Sequence, residues 1–203
     1  MKSTMIHFSR TDIDKMDKIF RLNLINSCTG FKSANLLGTK SLNGVSNVAV
    51  FSSITHLGSN PPLIGFILRP TTVPRDTYRN IKDTGVFTVN HINSDITEDA
   101  HHTSAKYPDE VSEFTKTDLQ EEFLGDFSAP FVKDAKIRLG CTFLNEYEIK
   151  ENDTLLLVSQ VDHLCSVWLI VCNQMSCKFV WRYLGCPLLC FGYLVGGLSI
   201  LGG

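Results

Sequence analysis

Asn43-Gly44-Val45-Ser46-Asn47-Val48-Ala49-Val50-Phe51-Ser52-Ser53-Ile54 is the stretch that decides the fold class. Asn-Gly is the strongest short-range hairpin signal, because both residues tolerate the positive φ angles that a tight turn requires. After it, residues 45–54 alternate apolar with small polar side chains, the period of a strand with one buried face. Before it, residues 33–39 are a small and apolar run that reads as the partner strand. Further out, Leu63-Ile64-Gly65-Phe66-Ile67-Leu68 is a continuous apolar run between Pro61-Pro62 and Arg69-Pro70, the pattern of a buried strand. Thr72-Val73-Pro74-Arg75-Asp76 predicts a helix start, with Thr72 or Val73 ahead of an N-terminal Pro and an acid in the first turn. Tyr78 and Ile81 would face inward, and Gly85 would close the helix. Residues 86–89 read as a strand, 95–105 as helix, and 108–125 as a polar segment anchored by Phe114, Leu119 and Phe123. Residues 136–149 form a long strand with Ile137, Leu139, Cys141 and Phe143 on one face, and 150–153 turn it back into 154–164. Many strands with two or three short helices predict a mainly β fold with helical insertions, a β-barrel first of all.

The chain has 203 residues, 43% hydrophobic and 20% charged, with 19 basic against 21 acidic side chains and a net charge of -2. A globular chain of this size buries roughly 70% of its unfolded surface and needs no staples. The composition excludes a disordered segment, a collagen or a coiled coil. Mixed charge with a near-zero balance leaves no electrostatic footprint for DNA or RNA, so nucleic acid is not an expected partner. Residues 1–8 lack the apolar core of a secretion signal and run into the charged stretch 10–18, which predicts a cytoplasmic protein. Cys28 and Cys141 are expected to be small buried hydrophobes.

Composition changes abruptly after Asp162: every acidic residue lies before that point, and five of the seven cysteines and both tryptophans lie after it. Residues 183–203 carry no charge at all. A membrane anchor matches the length of this tail, but its six glycines and one proline are loose for a helix. A zinc site lacks a C-x2-C pair. A shifted reading frame and an unusual buried end remain alternatives. The division expected from sequence is an N-terminal segment 1–17, a domain 18–163 and an atypical tail 164–203, with membrane contact through the tail not favoured.

There is no G-x-G-x-x-G, no G-x-x-x-x-G-K-[ST] and no G-x-S-x-G, and no Ser-His-Asp or Cys-His set stands out. A strand end rich in Asn, Ser and Thr offers hydrogen bonds to a flat polar ligand. Arg69, Arg75 and a helix start beside Thr77 can hold a phosphate. The plain alternative is that Ser52, Ser53 and Thr55 only fill the polar face of a strand, that Asn47 caps a turn, and that Asp76 is an ordinary helix-terminal acid.

Several motifs, in order, resemble the flavin reductase-like proteins with an FMN-binding split barrel, which include flavoredoxin. They are residues 29–39, the stretch from Asn43 to Leu63 with Arg75-Asp76-Thr77 beyond it, Gly85-Val86-Phe87-Thr88-Val89-Asn90, His101-His102-Thr103-Ser104-Ala105-Lys106-Tyr107-Pro108 and Ser112-Glu113-Phe114. The resemblance implies a six-stranded split barrel, a homodimer, and FMN near the subunit interface. It also implies electron transfer from NAD(P)H through the flavin to a small-molecule or protein acceptor, with a non-catalytic electron carrier as the alternative. Carried over by position, Asn47, Val48, Ala49 and Phe51 would run along the flavin ring, and Ser52 and Ser53 would meet its ribityl chain or phosphate. Arg69, Arg75 and Thr77 would be phosphate ligands, and His102 and Ser104 would lie near the open flavin face.

Overall fold

The computed structural model describes residues 5–70, 74–105, 107, 108 and 110–166. Thr72, Val73 and Lys106 lie outside the described residues, as does the part of the C-terminal tail from 167 onward. The chain divides into two compact units with the boundary between Lys32 and Ser33. The sequence reading drew its first boundary at 17/18.

The first unit holds two helices, α1 (Arg10–Lys15) and α2 (Lys18–Ser27). Ser9 and Asp12 form a reciprocal capping box at the start of α1, and the Asp17 carboxylate accepts from the N–H groups of Ile19 and Phe20 to cap α2. Neither helix has a buried residue. Cys28, expected to be buried, is therefore exposed: it sits at the C-cap of α2, where its thiol donates to the Ile25 carbonyl.

The second unit is built on strands β1 (Asn35–Lys40), β2 (Ser46–Phe51), β3 (Thr55–Ser59), β4 (Pro62–Leu68), β5 (Val86–His91), β8 (Ile137–Ile149) and β9 (Thr154–Ser166). Among the described residues they form one sheet in the order β2-β1-β5-β8-β9-β4-β3, every neighbour antiparallel. A small ribbon, β6 (Glu121–Glu122) with β7 (Phe131–Val132), is separate from it. Helix α3 (Asp76–Thr84) follows β4, and α4 (Thr97–His102) follows β5. The sheet rolls on itself: Phe51 of β2 meets Phe66 of β4 edge to face at 5.4 Å, although four strands separate the two in the sheet order. Ser53 staples the β2–β3 connection to β4, its Oγ donating to the Ile67 carbonyl and accepting from the Ile67 N–H, both at 3.1 Å.

The Asn-Gly hairpin is present, but its loop is one residue longer than the tightest turn. Ser41 N–H donates to the Val45 carbonyl and Gly44 N–H to the Ser41 carbonyl, with Gly44 at φ 85°. This is a three-residue loop ending in a left-handed Gly. It sets Thr39 opposite Asn47 and Gly38 opposite Val48. A two-residue loop would shift the pairing by one residue and reverse the faces.

Strand β2 packs against an apolar cluster on each face, though Val50 is exposed. Phe51 packs against the larger apolar cluster, where Leu37, Ile64, Phe66, Leu68, Phe87 and Leu157 meet. Val48 belongs to a second cluster with Leu36, Ile96, Ala100, Phe114 and Leu119. Each such buried side chain contributes roughly 1.5–3 kcal/mol. Phe114 and Leu119 anchor the polar segment as expected, whereas Phe123 is exposed under the Lys40 ammonium. Cys141 is buried in the first cluster, and burial pushes its thiol up to about 12. Helix α3 starts at Asp76, later than its proline suggested, and Gly85 ends it in the left-handed region at φ 73°. Strand β9 continues past the expected end, pairing Cys165 with Arg138 and Ser166 with Ile137. No helix among the described residues is long and apolar enough to cross a membrane.

Candidate functional site

The hairpin register puts Thr39 and Asn47 side by side on the face that α3 covers, and α3 turns Thr77 and Asn80 toward them. All four side chains are buried. The Asn47 amide Nδ2 donates to Thr39 Oγ1 at 3.3 Å and to Thr77 Oγ1 at 3.2 Å. Asn80 Nδ2 donates to Thr39 Oγ1 at 3.1 Å. This seam ties three elements together through hydrogen bonds instead of apolar contact. Asn47 and Thr77, thirty residues apart in sequence, thus meet directly.

The seam is not saturated. Asn80 Oδ1, Arg75 Nε and Ser112 Oγ are three of the four buried side-chain polar atoms without a hydrogen-bond partner among the described residues; the fourth, Ser159 Oγ, lies on β9. Buried polar groups ordinarily find one, so three of them around β2 and α3 mark a place built for more than packing. Arg75 is the N-cap residue of α3 and makes no side-chain cap, so among the described residues the first amides of that helix have no side-chain acceptor. A polar recess between the β1–β2 loop and α3 is lined by Ser41, Ser46, Asn47, Asp76, Arg79 and Asn80. Arg79 pairs with Asp76 at 2.6 Å across its rim.

The outer edge of β2 meets Glu113, in the short 3-10 turn Glu113–Thr115. The Val48 N–H donates to Glu113 Oε2 at 3.1 Å, so this main-chain group of the predicted ligand strand is already engaged. Burial is the main influence on the Glu113 carboxyl and pushes it above the usual range. The Val48 N–H and the residue's own N–H pull it down, and the charge of Asp76 adds to the rise.

The remaining expected residues are distributed around this core. Ala49 is half-buried beside Val48, and Phe51 is turned into the barrel cluster. Ser52 is exposed, while the Ser53 hydroxyl is taken by Ile67. Arg69 is exposed just past the end of β4. His102 ends α4 and is exposed, and Ser104 donates to the His101 carbonyl at 2.7 Å. Thr39, Asn80 and Glu113 were not singled out in sequence as site residues. Asn80 lies one turn after Thr77 and was legible from helical spacing. Thr39 depended on a hairpin register that the turn signal left open. Among the described residues, no group of three His, Cys, Asp or Glu side chains is placed to hold a metal ion.

Residues 31–168 match the family model described as the flavin reductase like domain. A candidate flavin reductase with a split barrel domain from Shewanella frigidimarina NCIMB 400 is 40% identical, with a TM-score of 0.80 over 84% of this chain and 84% of that one. Nitrilotriacetate monooxygenase component B from Bacillus cereus shares the fold at 22% identity and a TM-score of 0.71, over 81% of this chain and 83% of that one. The flavoredoxin of Desulfovibrio vulgaris (Miyazaki F) shares it at 19% identity and a TM-score of 0.58, over 66% and 69%. Among curated proteins, an uncharacterized protein of Aquifex aeolicus is 33% identical over 107 residues, which is 52% of this chain and 55% of that protein. The chain thus spans little more than half the length of that relative.

Proposed function

The chain belongs to the flavin reductase-like family, and from that membership we propose that it is an FMN-binding oxidoreductase passing electrons from NAD(P)H to a small-molecule or protein acceptor. The observation that carries this reading is the unsaturated polar seam where Asn47 of β2 meets Thr77 of α3.

The donor set fits a cofactor that is flat at one end and anionic at the other. Arg75 brings a buried donor without a partner, Thr77 a hydroxyl, and α3 a helix start without a side-chain cap. These would hold the phosphate, with Arg69 adding charge from the end of β4. The polar end of β2 would flank the ring. When bound, the flavin supplies the electron-transfer chemistry for which the site has no side chain of its own. The chain's residues orient and shield: Val48 and Phe114 pack behind the strand, and Phe51 fixes its far end against Phe66. His102 and Ser104 stand at the exposed end of α4, where an incoming nicotinamide or acceptor would approach.

We read the assembly as a homodimer. Support comes from the outer face of the β3–β4–β9–β8 half: Leu57 and Tyr147 are exposed there, and Leu57 and Leu156 close over Gly65. Exposed apolar side chains grouped on one face mark a surface suited to a partner.

The test is the visible spectrum of the purified chain after FMN addition and gel filtration, followed by anaerobic titration with NADH and NADPH. Retained flavin that bleaches with either nucleotide is the expected result. A colourless protein that does not retain FMN would overturn the reading. Retained flavin that neither nucleotide reduces would favour the electron carrier.

A further inference from the structure

Thr39 and Asn80 complete the hydrogen-bonded seam around Asn47 and Thr77, and both are almost fully buried, at 0% and 2% exposure. Their hydrogen bonds decide what the two site residues present. Asn47 Nδ2 carries two protons, and Thr39 Oγ1 and Thr77 Oγ1 take them both. The Asn47 amide therefore offers its oxygen to anything that enters the recess. Thr77 Oγ1, having accepted from Asn47, keeps its own proton to donate. Thr39 Oγ1 also accepts from Asn80, which fixes the hydroxyl between two amides. Asn80 meanwhile leaves its own Oδ1 buried and unpartnered. A network with an orphaned acceptor is a poor device for stability, since a buried group without a partner costs about 1–3 kcal/mol. Its product is orientation.

We propose that Thr39 and Asn80 are positioning residues that hold the Asn47 amide and the Thr77 hydroxyl so that Thr77 donates to the phosphate of the cofactor. The proposal rests on the reading that FMN is the ligand of this seam. Its consequence is discrimination: the pair matters for a flavin that carries a phosphate and little for one that does not.

The experiment uses the full chain and compares FMN with riboflavin by flavin-fluorescence titration, alongside thermal midpoints. Thr39→Val keeps the shape of the side chain and removes the acceptor. It should weaken FMN binding about tenfold, the scale of one well-placed hydrogen bond, while changing riboflavin binding less than about twofold. Thr39→Ser restores the hydroxyl and should restore FMN affinity. If Thr39→Val lowers the yield of folded protein, Asn80→Ala reads the same ratio without touching the sheet. An unchanged FMN-to-riboflavin ratio in a wild-type background that binds FMN would overturn the positioning role alone, whether both affinities fall together or neither moves. A wild-type chain that binds neither flavin would overturn the flavin reading and this inference with it.

Discussion

The barrel interior and the seam between β1, β2 and α3 are both buried, yet they are built on opposite terms. In the interior, Phe66 touches Phe51 and Phe87 edge to face at 5.4 and 5.6 Å, and Leu37, Val89 and Leu157 close around them with no exposed surface. In the seam, Thr39, Asn47, Thr77 and Asn80 exchange hydrogen bonds of 3.1 to 3.3 Å and leave an acceptor unpaired. Apart from Ser159 Oγ on β9, buried and without a partner among the described residues, the interior is closed by apolar contact. The seam leaves Asn80 Oδ1 without a partner, and under the proposed function it would be the part of the molecule that sets binding, apart from the one that sets stability.

The largest effect should come from breaking the complete side. Phe66→Ala removes a ring in contact with two others and should cost about 3–5 kcal/mol in a denaturant melt, while weakening FMN binding of the remaining folded fraction less than a change in the seam does. Breaking the incomplete side should reverse the balance. Thr77→Val leaves a buried Asn47 N–H without its acceptor and should lower stability by about 1–3 kcal/mol while weakening FMN binding tenfold or more, read by equilibrium dialysis. Between the two lies Ser53→Ala, which removes both hydrogen bonds to Ile67. It should cost about 1–2 kcal/mol and loosen the opening between β2 and β3, detectable as faster amide exchange at Ile67.

The smallest effect sharpens the comparison at its border, where Glu113 joins the polar edge of β2 to the second apolar cluster. Burial holds this carboxyl above its ordinary value of 4.5, so the folded chain keeps the proton more tightly than the unfolded chain. Stability is then greatest with the group protonated and falls as pH rises from about the ordinary value through the raised one. Glu113→Gln removes that slope. Relative to wild type it should gain stability between acidic and neutral pH, read from melts across that range. An equal difference at every pH would show that the carboxyl does not titrate in this window.

Much of the fold could be read from the chain. The apolar run at Leu63–Leu68, the long pair of strands at its end, Gly85 as a helix stop and the anchors Phe114 and Leu119 are local patterns. Their physical causes lie within a few residues of each other. Cys28 was misread because its burial depended on whether α2 packs against anything, which the helix pattern does not state. Of the candidate site, Arg75 and Thr77 were read as groups suited to a phosphate and Asn47 as one suited to a flat polar ligand. That the Asn47 amide donates to the Thr77 hydroxyl was not.

The sequence by itself determined that this is a mainly β chain, where its turns fall, and which polar residues cluster near a helix start, because period, turn chemistry and composition are local properties. Only the tertiary structure decided the register of the first hairpin. Closing it with a three-residue loop set Thr39, not Lys40, opposite Asn47 and turned that pair toward α3. A strand's side chains alternate with every residue, so that one step of register is the difference between a buried hydrogen-bonded seam and a lysine at its centre.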